Sequence, residues 1–459
     1  NKIDEIPFDF ARKVMSVVVQ LPDGRHRMIT KGAPEEIFKR CAYFELEGDV
    51  DPIDPILVAD LKDEYERLSS DGFRVLALSY KDLEPKQAYT KDDEAGMTLK
   101  GYLAFLDPPK ETAAPAIRAL QAHGIAVKVL TGDNELVTRK ICHEVGLSVD
   151  RMLLGSDVTA MSDEQLAEAA EGTTVFARLS PTDKQRIVKA MQSKGHTVGF
   201  MGDGINDAPA LRAADVGISV DSAVDIAKES ADAILLEKSL MVLGEGVLEG
   251  RKVFSNILKY IRMGASSNFG NMFSVLGASI FLPYLPMMPI QILTNNLLYD
   301  VSQTSIPTDD VDAQQLAKPR PWSINAISRF ILFIGPISSI FDYTTFFVML
   351  YIFNCWNPDH ASLFQSGWFV ESLLTQTLII HVIRTNRIPF LQSRASWPLL
   401  ITTAIVMMIG ISIPQSPLSS ALGFTELPGL YWPLLVLTLL SYMVLTQVAK
   451  TFLLRKGWL

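Results

Sequence analysis

The sequence predicts an α/β soluble part followed by an all-α polytopic membrane part of six helices. Charged residues are dense as far as Arg262 and sparse beyond it. Up to about residue 245, short β-branched runs alternate with amphipathic ones, the pattern of strands and their covering helices. Past that point six apolar runs of about 18 to 25 residues follow, each long enough to cross a bilayer as a helix. A chain of 459 residues exceeds the usual span of one core, so several units are expected.

In chain order, "KVMSVVVQLPDGRHRMITK" (13–31) reads as two strands joined at Pro-Asp-Gly, a hairpin signal. Helical patterns follow at 34–42 and 55–70, then a strand at 73–80, "FRVLALSY". These make a first α/β unit over 1–100. From "LKGYLAFLD" onward, strand and helix alternate through "IAVKVL", "TVFAR", "TVGFMGD" and "VGISV", implying a parallel sheet covered on both faces over 101–245. Ligands of such sheets sit at the carboxyl ends of the strands, and both "TGD" and "GDGIND" directly follow strands.

The apolar runs lie at about 263–282, 287–306, 330–353, 367–384, 396–413 and 429–449, within a membrane domain over 246–459. Lys318, Arg320 and Arg329 separate the second from the third. Arg384, Arg387 and Arg394 separate the fourth from the fifth, and Lys450, Arg455 and Lys456 close the chain. The other three loops have no Lys or Arg, so the positive-inside rule places the soluble part, the basic loops and the C-terminus in the cytoplasm.

A net charge of −9, with no basic cluster interleaved with aromatics, excludes a nucleic-acid surface. Cys41, Cys142 and Cys355 are odd in number and lack CxxC spacing, which indicates neither a disulfide framework nor a zinc site. The opening "NKIDEIPFDF" has no initiator Met and no apolar leader; the chain is expected to be the rear part of a longer one.

Chemistry concentrates at the strand ends. "LTGDN" puts the Thr131 hydroxyl and the Gly132 N–H where a helix N-terminus holds an anion. Asp133 either binds a metal or nucleotide or caps the helix starting at Asn134. In "SPTDKQRIV", Ser180 is the expected N-cap and Pro181 occupies the first turn, aiming Lys184 at the same sheet edge; taken alone, such a lysine equally suits a solvated face. Asp203 and Asp207 of "GDGIND" are acids of the kind that hold a hard cation such as Mg2+.

Together, "TGD", "PTDK" and "MGDGINDAP" resemble the later motifs of the haloacid-dehalogenase-like phosphorylation domain of P-type ATPases. "KGAPE" and "GFRVLAL" are similar to that family's nucleotide-binding domain, and "DPP" (107–109) to the hinge between the two. The resemblance implies that Phe8 stacks on adenine, that Lys31 and Gly32 line the nucleotide pocket and that Arg74 contacts phosphate. It implies that Thr131 and Lys184 bind the phosphoryl group, that Gly132 and Asp133 belong to the same catalytic set, and that Asp203, supported by Asp207, ligates Mg2+, with ATP as substrate. The family's nucleophilic "DKTGT" and its "TGE" stretch do not occur, nor do its first four membrane helices. Asp107 does not substitute, because the two prolines after it remove N–H donors a phosphate needs. The chain alone is expected not to form a phosphoenzyme and to need an N-terminal remainder as partner.

Among ionisable residues in the apolar runs, Asp300 falls about 16 Å along the second, with Asn296 one turn earlier. Asn268 and Asn271 share a face of the first, so four oxygen-bearing side chains are expected to converge on one cation; interhelical bonding is the alternative for Asn268. "ASSNFGNMFSVL" and "NNLLYDVSQTSIP" resemble the magnesium-transporting branch, whose members are bacterial inner-membrane proteins. Asp342 is a ligand, a proton-handling group or the partner of a polar neighbour. Glu371, about four residues from the outer end of its run, either snorkels to the interface or acts at an entrance. His381 is expected to be structural. The resulting expectation is the C-terminal part of a pump moving Mg2+ through an aspartyl phosphate. A proton pump, a membrane-anchored phosphohydrolase and a non-catalytic nucleotide-binding regulator are the rivals.

Overall fold

Along residues 14–19, Val14, Ser16 and Val18 are buried while Met15, Val17 and Val19 are only partly so, the period-two signature of a strand with one covered face. This is the second strand of a seven-stranded sheet in the computed structural model, which describes residues 1–9, 12–237 and 239–456. The chain divides into two compact units, Asn1–Gly244 and Glu245–Leu459.

The first unit opens with β1 (Lys2–Asp9), β2 (Val14–Gln20), β3 (His26–Gly32), α1 (Pro34–Phe38), β4 (Cys41–Leu46), β5 (Asp49–Pro52), α2 (Pro55–Ser70), β6 (Phe73–Leu83) and β7 (Met97–Leu106). The sheet order is β1-β2-β3-β6-β7-β4-β5, antiparallel except for β4 beside β7. Pro-Asp-Gly closes the β2–β3 hairpin, with Gly24 at φ 88°, a left-handed conformation that glycine adopts without a Cβ clash. The helix expected over 34–42 is shorter: it ends at Phe38, and Cys41 already begins β4. Val14, Ala77 and Leu99 pack with Ile37 of α1 on one face. Lys31 pairs with Leu78, so Lys31, Leu78, Leu76 and Arg74 project from the opposite face. Gly32 is required by close approach, since a Cβ there would lie 2.4 Å from the Lys13 carbonyl.

Alternation then takes over: α3 (Ala113–Ala122), β8 (Val129–Leu130), α4 (Glu135–Glu144), β9 (Met152–Leu154), α5 (Gly155–Ala160), α6 (Asp163–Glu171), β10 (Val175–Ala177) and α7 (Pro181–Ser193). It continues through β11 (Gly199–Met201), α8 (Ala208–Ala213), β12 (Val216–Val220), α9 (Asp225–Glu229) and β13 (Ala233–Leu235). The single parallel sheet expected over 101–245 is two parallel triplets, β8-β10-β9 and β11-β12-β13. The triplets share a core. Leu130 of β8 packs against the clusters of both, and α7 gives Ile187 to one and Val188 to the other.

The second unit is helical: α10 (Met241–Phe281), α11 (Pro289–Gln303), α12 (Ala313–Leu316), α13 (Ile324–Phe347), α14 (Ala361–Ile383), α15 (Trp397–Ser412), α16 (Ser419–Leu422) and α17 (Tyr431–Arg455). Among the described residues, four helical stretches are long and apolar enough to cross a membrane: 324–352, 358–383, 397–415 and 431–455. The two earliest expected spans fall short of that standard. α11 is a 15-residue helix diluted by Asn and Gln side chains, and the apolar character of α10 is diluted by Asn and Ser. α14 is the central helix, buried over most of its length against α11, α13, α15 and α17.

Candidate functional site

The predicted strand-end residues fall at three turns. Thr131 follows β8, where its Oγ1 accepts from the Asp133 N–H at 3.1 Å and sits 3.1 Å from Asp133 Oδ2. Asn134, not Asp133, caps α4, accepting from the Val137 N–H at 2.9 Å. The capping alternative for Asp133 is therefore corrected. Asn134 is one residue nearer the helix and has the extended backbone an N-cap needs, which leaves the Asp133 carboxylate to pair with Arg74 of β6. Gly132 is exposed at the turn.

Ser180 caps α7 in a reciprocal box with Asp183, and Pro181 takes the first turn, as the sequence predicts. The solvated-face alternative for Lys184 does not hold: it is largely buried and its Nζ donates to Asp207 Oδ1 at 2.7 Å. The other oxygen of Asp207 accepts from the Gly204 N–H at 3.2 Å. Gly202 permits this, because a Cβ there would come within 2.5 Å of the Asp207 Cβ. Asp203 is exposed on the same turn. An exposed carboxylate next to one already held by a lysine suits a Mg2+ ion, which takes one or two carboxylates and fills its shell with water and phosphate oxygens.

Arg178 is the residue the sequence reading missed. It adopts φ 55°, which costs a non-glycine residue strain, and its Nη1 donates to Glu35 at 3.0 Å while Nε donates to Glu135 at 2.5 Å. Burial works against its charge, but Glu135 and Glu35 hold the guanidinium pKa above its ordinary value. The usable signal was "VFAR", an arginine at the end of a fully apolar strand. Phe8 is half-exposed in a hollow of about 450 Å3 with Ile6, Pro7, Asp9, Arg12 and Lys91. Lys31 is exposed.

In the helical unit, Asp300 lies in the last turn of α11, in a groove of about 650 Å3 shared with Asn256, Tyr260, Gln303 and Thr304. Asn268, Asn296 and Asp300 are exposed, and no hydrogen bond links them among the described residues. Asn271 turns the other way, its Oδ1 accepting from Gln376 of α14 at 3.2 Å. The four side chains expected around one cation are thus divided within this unit, because the buried stripe of α11 runs through Gln291, Asn295, Tyr299 and Ser302 instead.

Asp342 is buried, accepting from Trp368 Nε1 at 2.8 Å and lying 2.6 Å from Ser274 Oγ. Glu371 neither snorkels nor stands at an entrance: α14 starts at Ala361, earlier than the apolar run suggested, so Glu371 is about 15 Å inside and fully buried. His381 bonds Thr403 at 3.1 Å and stacks near Phe390, a structural role. Asp309, also missed, is fully buried after α11 and accepts from Lys259 at 2.7 Å and Arg384 at 2.8 Å. Burial opposes its charge, but the two cations hold the carboxyl below its ordinary value. Burial holds the Lys259 ammonium below its ordinary value too, against the pull of Asp309; with two cations on one carboxylate, the ionised triad is the favoured state.

Residues 1–112 match the family described as the P-type ATPase cytoplasmic domain N, and residues 284–452 the one described as the cation transporting ATPase C-terminus. The chain is 57% identical over 460 residues to the "Magnesium-transporting ATPase, P-type 1" of Escherichia coli K12, an alignment covering 100% of this chain and 51% of that protein. The protein of the same name from Salmonella typhimurium LT2 is 56% identical with the same coverage. A calcium-transporting ATPase of Listeria monocytogenes is 38% identical over 64% of this chain and 34% of its own length. The chain spans about half the length of the magnesium-transporting relatives. With both family matches and 56–57% identity along the whole of this chain to these proteins, the chain belongs to the cation-transporting P-type ATPases.

Proposed function

We propose that this chain is the rear part of an ATP-driven pump that moves Mg2+ across a bacterial inner membrane through an aspartyl phosphate. The observation that carries the reading is the Lys184–Asp207 pair beside exposed Asp203, at the carboxyl end of a parallel strand. Phosphoryl transfer asks mainly for positioning and charge stabilisation, and these residues supply both. Thr131 and the Gly132 N–H bind the transferred phosphoryl oxygens, and Lys184 adds positive charge beside them. Asp203, with Asp207 behind it, would hold a Mg2+ ion, which when bound neutralises phosphate charge. Arg74, Lys31, Gly32 and Phe8 hold ATP over residues 1–100, and the catalytic residues belong to a second domain over 101–245.

The acceptor aspartate comes on a strand outside these residues. Among the described residues, β8 and β11 each have a strand partner on one edge alone, and Leu130 packs into the cores of both triplets. A strand between them would complete one parallel sheet and place its carboxyl end among Thr131, Lys184 and Asp203.

Six spans, with α10 and α11 as the first two, carry the ion across, and the loop charges place the soluble part in the cytoplasm. Asp300 with Asn296, Asn268 and Asn271 takes the cation. Three of these are exposed here and would meet helices supplied from elsewhere in the pump. The magnesium transport for which the Escherichia coli and Salmonella relatives are named favours this over proton pumping. Acid-stable labelling of the full-length protein by ATP radiolabelled in its terminal phosphate tests the phosphoryl half. Labelling is expected in the wild type and at least ~10-fold less in Asp203→Asn; equal labelling would remove Asp203 from the site.

A further inference from the structure

We infer that Asp342 and Glu371 form a proton-binding site in the core of the helical unit, apart from the groove that contains Asp300. The inference rests on the packing of this unit and stands whichever ion the pump carries.

Glu371 has no exposed surface, and among the described residues no N–H donor and no hydroxyl reaches either carboxylate oxygen, whose polar neighbour is the Asp342 carboxyl. An ionised carboxylate in that condition would forfeit its hydration with nothing in return, at a cost of several kcal/mol or more. Asp342 lies beside it from α13 and is buried as well. Two adjacent carboxylates in an apolar interior do not both ionise, and the pair retains one proton.

The surroundings decide between a proton and a metal ion. Asp342 Oδ1 is occupied by the Trp368 N–H, a group that only donates and would repel a cation at that oxygen. Ser274 Oγ lies 2.6 Å from the other oxygen and also 3.0 Å from the Gly270 carbonyl. With one hydroxyl hydrogen, Ser274 can donate to Asp342 or relay a proton from it. Around these groups lie Phe346, Phe364, Phe369, Leu373 and Leu374, all buried. Mg2+ demands six oxygens and keeps several waters, which this packing does not offer.

The facing titratable groups are few. Tyr431 and Tyr442 of α17 approach the pair, with Tyr299 of α11 beyond Tyr442. The Tyr431 hydroxyl already donates to the Gly367 carbonyl at 2.6 Å. α10 presents Ser274, and α15 contributes apolar Val406 and Met407 to the same cluster. Among the described residues, no Lys, Arg or His faces either carboxylate.

The test is infrared spectroscopy of the full-length protein in detergent, read in the carbonyl-stretch region of protonated carboxyl groups. Wild type is expected to show one buried protonated carboxyl at neutral pH that shifts slowly in D2O and is indifferent to millimolar Mg2+. In Glu371→Gln, an isostere of the protonated acid, that band should vanish because Asp342 then ionises alone against its two donors. In Asp342→Asn the band should persist at a shifted position, now from Glu371. Both variants should elute as wild type on size exclusion, which separates loss of the proton from loss of the fold. A band that Mg2+ abolishes would make this a metal site. A spectrum the same in wild type and the Asp342→Asn, Glu371→Gln double variant would overturn the proton site outright.

Discussion

Gly202 and Asp207 show how tightly the turn after β11 is built. Any side chain at 202 collides with the Asp207 Cβ, and the collision partner is the rigid start of a side chain, which cannot swing away. Gly202→Ala is expected to lower the stability of the soluble unit by about 1–3 kcal/mol and to weaken phosphorylation, measurable as a lower thermal midpoint and reduced labelling. Lys184→Met leaves the Asp207 carboxylate mostly buried without its cation, so destabilisation of about 3 kcal/mol is expected. At Asp309 the sign of the pH effect follows from its depressed folded value. Its stabilisation is present above the unfolded carboxylate range near ~3.9 and is lost as pH falls through the lower folded value. The thermal-midpoint gap between wild type and Asp309→Asn should therefore be constant above about pH 5 and close below it. Residue types at the strand ends were legible because Ser, Pro, Gly and Asp have positional meaning at turns. Pairings across long separations, Arg74 with Asp133 or Asp309 with Arg384, were not, since periodicity is silent on which distant side chains meet.

At the scale of elements, the hairpin, the strand–helix alternation and the late helices were readable from local pattern, while boundaries moved where apolar runs and helices differ. Glu371 illustrates the cost: the run began at 367, the helix at Ala361, and six residues turned an expected interface group into a core one. The split of the parallel sheet could not be read from a list of strands, because strand order is a tertiary fact. It carries a prediction of its own. The N–H groups of Val129 and Thr131 bond to β10, so alternation points the Leu130 N–H to the unpaired edge. On β11, Gly202 bonds to β12, leaving Gly199 and Met201 in the same position. Amide exchange at Leu130, Gly199 and Met201 should be at least ~10-fold slower in the full-length protein than in residues 1–244 alone, equivalent to ~1.4 kcal/mol of protection. Equal exchange would mean that no strand enters between β8 and β11.

Taken as a whole, the molecule joins a soluble α/β unit, with the residues proposed for phosphoryl transfer, to a helical unit with polar groups on α10, α11, α13 and α14. Composition and charge distribution revealed that division, and the strand-end motifs revealed the family. Within the helices the reading was less complete: sequence spacing predicted one convergent set of four, whereas the structure divides them between an outward face and a bond to α14. The outward set is the one a pump would close with further helices, and the account stands or falls on it. The direct measurement is ATP-driven Mg2+ flux into or out of liposomes carrying the full-length protein, comparing wild type with Asp300→Asn. The account predicts flux that requires ATP in the wild type and falls at least ~10-fold in the variant, with phosphorylation by ATP still detectable. Full-rate Mg2+ flux through Asp300→Asn, or ATP-driven proton movement with no Mg2+ flux in the wild type, would contradict it.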